Sequence, residues 1–273
     1  MKIGFIGIGN MGGAILSGYA ASGKAEGHQL MAFDMNEELC MRTKKAIPQL
    51  ELCESGSALC KAADMVVLGV KPQVIETVLE EIAGTYDTSK TIVTMAAGID
   101  MAVIEKYLGS SAKVIRIMPN TPAKVGEAMI AVCRNDNTKP AAFDAAMEIF
   151  SSIGMAEEVD ESLIDCVIGV SGSSPAYTYM YIEALTQAAE DNGMDHSKAR
   201  TFAAQAVLGA AKMVLESPES LEQLRINVCS PNGTTIEAVN KLFDNGFMDK
   251  VKEGFQAAVD RSIEMAEEKR KRS

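Results

Sequence analysis

The chain has 273 residues, 47% of them apolar and 23% charged, with a formal net charge of −11. That length and balance describe a soluble globular protein of about two domains. The acidity disfavours nucleic acid and anionic membrane surfaces as partners, and no apolar run reaches the ~18 residues of a bilayer span.

Six cysteines (Cys40, Cys53, Cys60, Cys133, Cys166, Cys229) are scattered without a CxxC pair. Neither a disulfide framework nor a metal site is therefore expected. A strand pattern beginning at Ile3 leaves no leader to read, and reduced thiols suit a cytoplasmic protein.

In chain order, the apolar run 3–6 feeds Gly7-Ile8-Gly9-Asn10-Met11-Gly12 and then a helix through Ala21. Strand, GxGxxG turn and helix in that order form a dinucleotide-binding unit. Gly7 provides the tight turn, Gly9 lets the backbone approach a pyrophosphate, and Gly12 allows close helix–strand packing. The helix N-terminus offers unpaired N–H groups to that anion. A second strand, Gln29–Phe33, ends at Asp34, and a helix over Glu37–Ala46 follows. A carboxylate at that strand end hydrogen-bonds the adenosine ribose and repels a 2′-phosphate. The same residue is also placed to cap the following helix.

Further buried strands read over 64–70, 91–95 and Lys113–Met118. Each stops at a turn: Lys71-Pro72, Ala96-Ala97-Gly98 and Pro119-Asn120-Thr121-Pro122. Residues 128–133 add a strand, 141–151 a helix and 155–159 a short last strand. The alternation implies an α/β class, with a Rossmann-type parallel-sheet domain over 1–159. Ligands of such a sheet bind beyond the carboxyl ends of the strands.

From residue 160 strand signals stop, and helical stretches over 173–192, 197–216, 235–243 and 248–269 follow. The expected second domain, 160–273, is all-helical and follows without a low-complexity linker. Two of its loops stand out. Val170-Ser171-Gly172-Ser173-Ser174-Pro175-Ala176-Tyr177 breaks one helix and starts another, with Pro175 suited to the first turn. Cys229-Ser230-Pro231-Asn232-Gly233-Thr234-Thr235 makes a helix N-terminus with free N–H groups and two threonine hydroxyls, a site of carboxylate size. A capped, solvent-facing helix start is the plainer alternative.

Reduction of a carbonyl needs a proton donor near the carbon that takes hydride. Of the two histidines, His28 falls in a surface loop before the second strand and His196 in an exposed helix N-cap, and no lysine follows Pro175 in its helix. A protonated imine relaxes that need, because its nitrogen accepts the electron pair itself. Catalysis then reduces to orientation.

At these residues the chain resembles the pyrroline-5-carboxylate reductase family. The resemblance rests on Phe5–Gly12, Val70-Lys71-Pro72, Arg116-Ile117-Met118-Pro119-Asn120-Thr121-Pro122, Ser171-Gly172-Ser173-Ser174-Pro175-Ala176-Tyr177 and Ser230-Pro231-Asn232-Gly233-Thr234-Thr235. It implies an NAD(P)H-dependent oxidoreductase that reduces 1-pyrroline-5-carboxylate to proline, the last step of proline biosynthesis. Ile6, Gly7, Ile8, Gly9, Asn10, Met11, Asp34, Val70, Lys71, Pro72 and Ala97 form the expected binding set for NADP or NAD. Ser230, Gly233, Thr234 and Thr235, with Ser173, form the set expected to bind substrate. The resemblance makes Thr235 the catalytic position, hydrogen-bonded to the ring nitrogen as it becomes an amine. It also implies a homodimer through the helical domain and larger rings of dimers.

Three departures matter. Ser174 and Asn232 stand where the family usually has glycine, and Gly56-Ser57 occupies the region of an asparagine that helps hold the adenosine end. The last, with Asp34, points away from a strong NADP preference. On the residues alone, reduction of another cyclic imine and non-catalytic NAD(P) sensing stay open.

Overall fold

Apolar residues in the first half alternate between two cores rather than between core and solvent. In β4 (Met65–Leu68), Met65 and Val67 join one buried cluster while Val66 and Leu68 join the other. Strand β1 (Lys2–Ile6) divides in the same way, with Phe5 in the first cluster and Ile6 in the second. Burial on both faces is why these strands read as continuous apolar runs. The structure, a computed structural model, describes residues 1–272, and side chains as far as residue 268.

The other strands are β2 (Gln29–Phe33), β3 (Glu51–Leu52), β5 (Thr91–Thr94), β6 (Lys113–Met118), β7 (Ala128–Arg134) and β8 (Gly154–Glu158). Among the described residues they form one sheet in the order β3-β2-β1-β4-β5-β6-β7-β8. The order reverses between β1 and β4, which creates the crevice where open α/β sheets bind ligands. Every pairing is parallel except β6 with β7. Residues 119–127, which hold a short 3-10 turn, Thr121–Val125, and the left-handed Gly126, connect those two strands. That link is too short for a crossover, so the chain doubles back.

One face carries α1 (Asn10–Ala21) and α6 (Pro140–Ser151), which contribute Ile15, Leu16, Tyr19, Ile149 and Phe150 to the first cluster. The other carries α3 (Gly56–Ala62), α4 (Ile75–Ala83) and α5 (Met101–Leu108), which contribute Leu59, Leu79, Ile82 and Ile104 to the second. Helix α2 (Glu37–Ala46) follows β2 as expected. The sequence reading did not include β3, α3, α4, α5 or α10 (Leu221–Val228). These elements are short: α3 is seven residues long and is stabilised at its start by Ser55, whose side chain accepts from Ala58 N–H.

After β8 the chain turns through Glu161–Leu163, α7 (Ile164–Val167) and a π-helical turn, Ile168–Gly172. It continues through α8 (Ser174–Asp191), α9 (His196–Glu216), α10, α11 (Thr234–Asp244) and α12 (Phe247–Arg272). The residues divide into two compact units, one of Met1–Ser173 with the chain from Ala258 onward, the other of Ser174–Ala257. The sequence places the change of character at residue 160, whereas the contacts divide at 173/174 because the 160–173 segment packs on the sheet unit. Glu161 is the first anchor: it accepts from Arg116 Nη1 at 2.9 Å and from Met101 N–H at 2.8 Å. The end of α12 also belongs to the sheet unit. Ser262 donates to Asp165 at 2.6 Å, and a Cβ at Gly98 would lie 3.3 Å from that of Met265.

No helix among the described residues is long and apolar enough to cross a membrane. The second unit leaves many large apolar side chains exposed, among them Met180, Phe202, Leu208, Leu215, Leu221 and Val228.

Candidate functional site

Ile6 ends β1 in the core, at 2% exposure, and the chain then turns sharply at Gly7 with φ +88°. A Cβ at Gly7 would meet Val70 at 2.7 Å, and a Cβ at Gly12 or Gly69 would lie 2.2 Å from Gly7 O. The turn after β1 and the turn after β4 therefore fit together only without side chains at these points. Gly9 is different: no atom lies within 4 Å of its Cβ position. It stands at the N-cap of α1 without a side-chain cap, so the N–H groups of the first turn, from Asn10 and Met11 onward, face an open approach. An approach of this kind suits a pyrophosphate, and the bare Gly9 is the space such a group needs. A cleft of about 870 Å³ opens there, lined by Ile8, Gly9, Asn10, Ser17, Arg42 and Lys124 among others.

Asp34 follows β2 and is half-buried. One carboxylate oxygen accepts from Ile8 N–H and the other from Asn36 N–H, each at 2.9 Å. The capping role considered for Asp34 falls instead to Asn36, whose side chain accepts from Leu39 N–H at 3.0 Å. The structure thus brings Asp34 to the glycine turn and keeps its charge there. Ser57, beyond β3, is engaged elsewhere: its N–H and hydroxyl both donate to Glu81, at 3.0 and 2.6 Å.

Val70, Lys71 and Pro72 lie directly after β4, and Lys71 is exposed with its carbonyl accepting from Val74 N–H at 3.1 Å. Ala97 follows β5 beside the left-handed Gly98, whose φ is +69°. All three turns, with Asp34, stand at carboxyl ends of parallel strands. The histidines do not: His28 precedes β2 and lies 2.6 Å from Tyr19 Oη, while His196 opens α9 and pairs with Glu190 at 3.0 Å.

In the second unit, Ser230-Pro231-Asn232-Gly233 forms a tight turn closed by Gly233 N–H to Ser230 O at 3.0 Å. Asn232 is the one non-glycine residue with positive φ, +57°, among the described residues. Asparagine tolerates that region, so the turn forms without a glycine there. Gly233 is the N-cap of α11 and offers no side-chain cap, and its Cβ position is closed by Ser230 Oγ at 2.3 Å. The result is a helix N-terminus bordered by the hydroxyls of Ser230, Thr234 and Thr235, which make no hydrogen bond to protein among the described residues. These N–H groups and hydroxyls can receive an anion, and Glu237 is the acidic residue in the helix's first turn. Ser173 closes the π-helical turn in the other unit, donating its N–H to Ile168 O at 2.8 Å.

Sequence reasoning singled out the Arg116–Pro122 stretch but not its partners. Arg116 is buried and paired with Glu161, and Asn120 hydrogen-bonds Met129 and Ser171. Burial also pushes the Cys133 thiol, which donates to Arg116 O at 3.5 Å, up to about 12. These are contacts between residues far apart in sequence, and no local pattern announces them.

A family model described as "Pyrroline-5-carboxylate reductase dimerisation" matches residues 161–265, and one described as "NADP oxidoreductase coenzyme F420-dependent" matches residues 2–98. The pyrroline-5-carboxylate reductase of Escherichia coli is 40% identical over 97% of this chain and 98% of its own. A pyrroline-5-carboxylate reductase structure from Coxiella burnetii superposes with a TM-score of 0.90 at 32% identity, covering 97% of this chain and 98% of that one. The pyrroline carboxylate reductase of Plasmodium falciparum, solved with NADP bound, gives 0.85 at 30% identity, covering 97% and 98%.

Proposed function

The chain belongs to the pyrroline-5-carboxylate reductase family, and from that premise we propose how its own residues carry the reaction. It is an NAD(P)H-dependent oxidoreductase that reduces 1-pyrroline-5-carboxylate to proline. The single observation that carries the residue assignment is the uncapped start of α11, where Ser230, Thr234 and Thr235 surround free N–H groups.

Reduced nicotinamide supplies the hydride when bound. The glycine turn and the first turn of α1 hold the pyrophosphate through N–H groups, with Val70, Lys71, Pro72 and Ala97 bordering the rest of the molecule. Asp34 receives the adenosine ribose. The α11 N-terminus holds the substrate carboxylate through N–H groups and the hydroxyls of Ser230 and Thr234. Thr235 donates its hydroxyl to the ring nitrogen, whose basicity rises as the C=N bond becomes a C–N bond. The imine enters protonated at nitrogen, so hydride addition to carbon leaves a neutral amine and no side chain has to supply a proton in that step. The work left to the protein is orientation.

The chain is a homo-oligomer. We infer a dimer through the helical residues, since the apolar side chains of α8 to α11 lack cover in one copy, and a ring of such dimers above it. The cytoplasm is the compartment proposed.

Purified protein, mixed with pyrroline-5-carboxylate and NADPH or NADH, is expected to consume the reduced cofactor and yield proline. Absence of consumption with both cofactors overturns the reading.

A further inference from the structure

We propose that Asn120 is a positioning residue that fixes the Ile168–Ser173 turn for substrate binding. The proposal rests on the reading of this chain as a pyrroline-5-carboxylate reductase.

Asn120 stands at the N-cap of the Thr121–Val125 turn, where asparagine ordinarily accepts from the backbone just ahead of it. It makes no such bond. Its amide is instead divided between distant partners: Oδ1 accepts from Met129 N–H at 3.0 Å, and Nδ2 donates to Ser171 O at 3.1 Å. The residue is 8% exposed, so water is a poor substitute for either partner.

The need for the second bond follows from the sequence around Ser171. In a continuing helix, the carbonyl of Ser171 would accept from the residue four places on. That residue is Pro175, which has no N–H. The Ser171 carbonyl therefore lacks its α-helical donor in the π-helical turn Ile168–Gly172, a type of irregularity that recurs at functional sites. Asn120 supplies the missing donor. It does so from the carboxyl end of β6, in the stretch where the sheet unit's ligand-facing turns lie. Arg116, four residues earlier and within β6, holds Glu161 at the beginning of the segment that leads into this turn. Two stretches that the sequence singled out separately, Pro119–Pro122 and Ser171–Tyr177, are thus matched donor to acceptor.

The test is Asn120→Asp in the full chain. Aspartate keeps an oxygen for Met129 N–H but sets a second oxygen, with no hydrogen, against Ser171 O. The expected result is a KM for pyrroline-5-carboxylate raised about tenfold, with the KM for the nicotinamide cofactor within twofold of wild type. Amide hydrogen exchange is expected to accelerate over 168–174 and not elsewhere in the sheet unit. A lowered melting temperature with an unchanged substrate KM and unchanged local exchange overturns the proposal and leaves Asn120 a purely structural residue. Should Asn120→Asp fail to fold, Asn120→Ala is read by the same criteria, with Met129, which then loses its acceptor, left out of the exchange comparison, and failure of both to fold also counts against positioning. The exchange measurement needs no substrate. It therefore reports on Asn120 even if wild-type protein proves inactive on pyrroline-5-carboxylate, a result that would sink the substrate reading alone.

Discussion

Replacing Asp34 is expected to change which nicotinamide cofactor the enzyme prefers. The carboxylate is fixed beside the glycine turn by Ile8 N–H and Asn36 N–H, each at 2.9 Å. It does not cap α2, which Asn36 does, so its charge has no helical duty to divert it. A 2′-phosphate carries −1.5 to −2 charges near neutral pH, by analogy with other phosphomonoesters. At ~4 Å and an effective dielectric of about 20, each unit pair repels by about 4 kcal/mol. Asp34 is half-exposed, and solvent and salt cut such terms steeply. A quarter of that value, about 1 kcal/mol, still corresponds to about fivefold in relative affinity. The Ser57 hydroxyl is committed to the Glu81 carbonyl. NADH is therefore expected to serve at least as well as NADPH in wild type, and Asp34→Ser to move the ratio toward NADPH by about fivefold or more. Steady-state kcat/KM for both cofactors, at low and high salt, is the measurement. A wild type tenfold better with NADPH, with a ratio that Asp34→Ser leaves unchanged, refutes the argument. Arg42, which lines the same cleft, then becomes the phosphate contact to remove.

Thr235→Ala is expected to lower kcat/KM about 10²-fold, the loss of roughly 2.7 kcal/mol of transition-state hydrogen bonding, and undiminished turnover would take Thr235 out of the mechanism. Gly69→Ala puts a Cβ 2.2 Å from Gly7 O, so fluorescence titration should show weakened NADPH binding together with a lower melting temperature. Light scattering at micromolar concentration should give a mass above that of one 29.1 kDa chain; a monomer mass would contradict the dimer. Burial raises Cys133 from 9.0 to about 12, so the folded chain holds this proton where the unfolded chain has lost it. That group's contribution to stability is complete below about pH 9 and declines by about 1.4 kcal/mol per pH unit from there to about 12, visible as a falling urea midpoint and as slow Cys133 alkylation.

The inner sheet strands were legible because both their faces are buried, which makes each a run of apolar residues between turn signals. The two edge strands differ: β3 has two residues and offers no run to read, and β8, Gly-Met-Ala-Glu-Glu, is half-buried to exposed along its length. The reversal of β7 was hidden in its connection, since a strand pattern has no direction and only the length of 119–127 separates hairpin from crossover. The glycine turn announced itself because Gly7, Gly12 and Gly69 answer to close backbone approach. Asn232 could be recognised as a tolerable substitute for the same reason. Short helices such as α3 and α5 depend on a single capping side chain, Ser55 or Asp100, and serine and aspartate are too common to read alone. The ties that brace the 160–173 segment, Arg116 to Glu161 and Asn120 to Ser171, span 45 and 51 residues and follow from tertiary packing.

The return of α12 to the sheet unit has a consequence for how the protein is made. Asp165 and its partner Ser262 are 97 residues apart, and Gly98 waits still longer for Met265. At ribosomal rates of about 5–20 residues per second, roughly 5–20 s pass between the emergence of the two ends of that hydrogen bond. For that interval the nascent sheet unit has every strand but not the helix that covers the turn after β5. A stop or frameshift after Ala257 therefore damages the first unit to be synthesised, although every strand codon has been read.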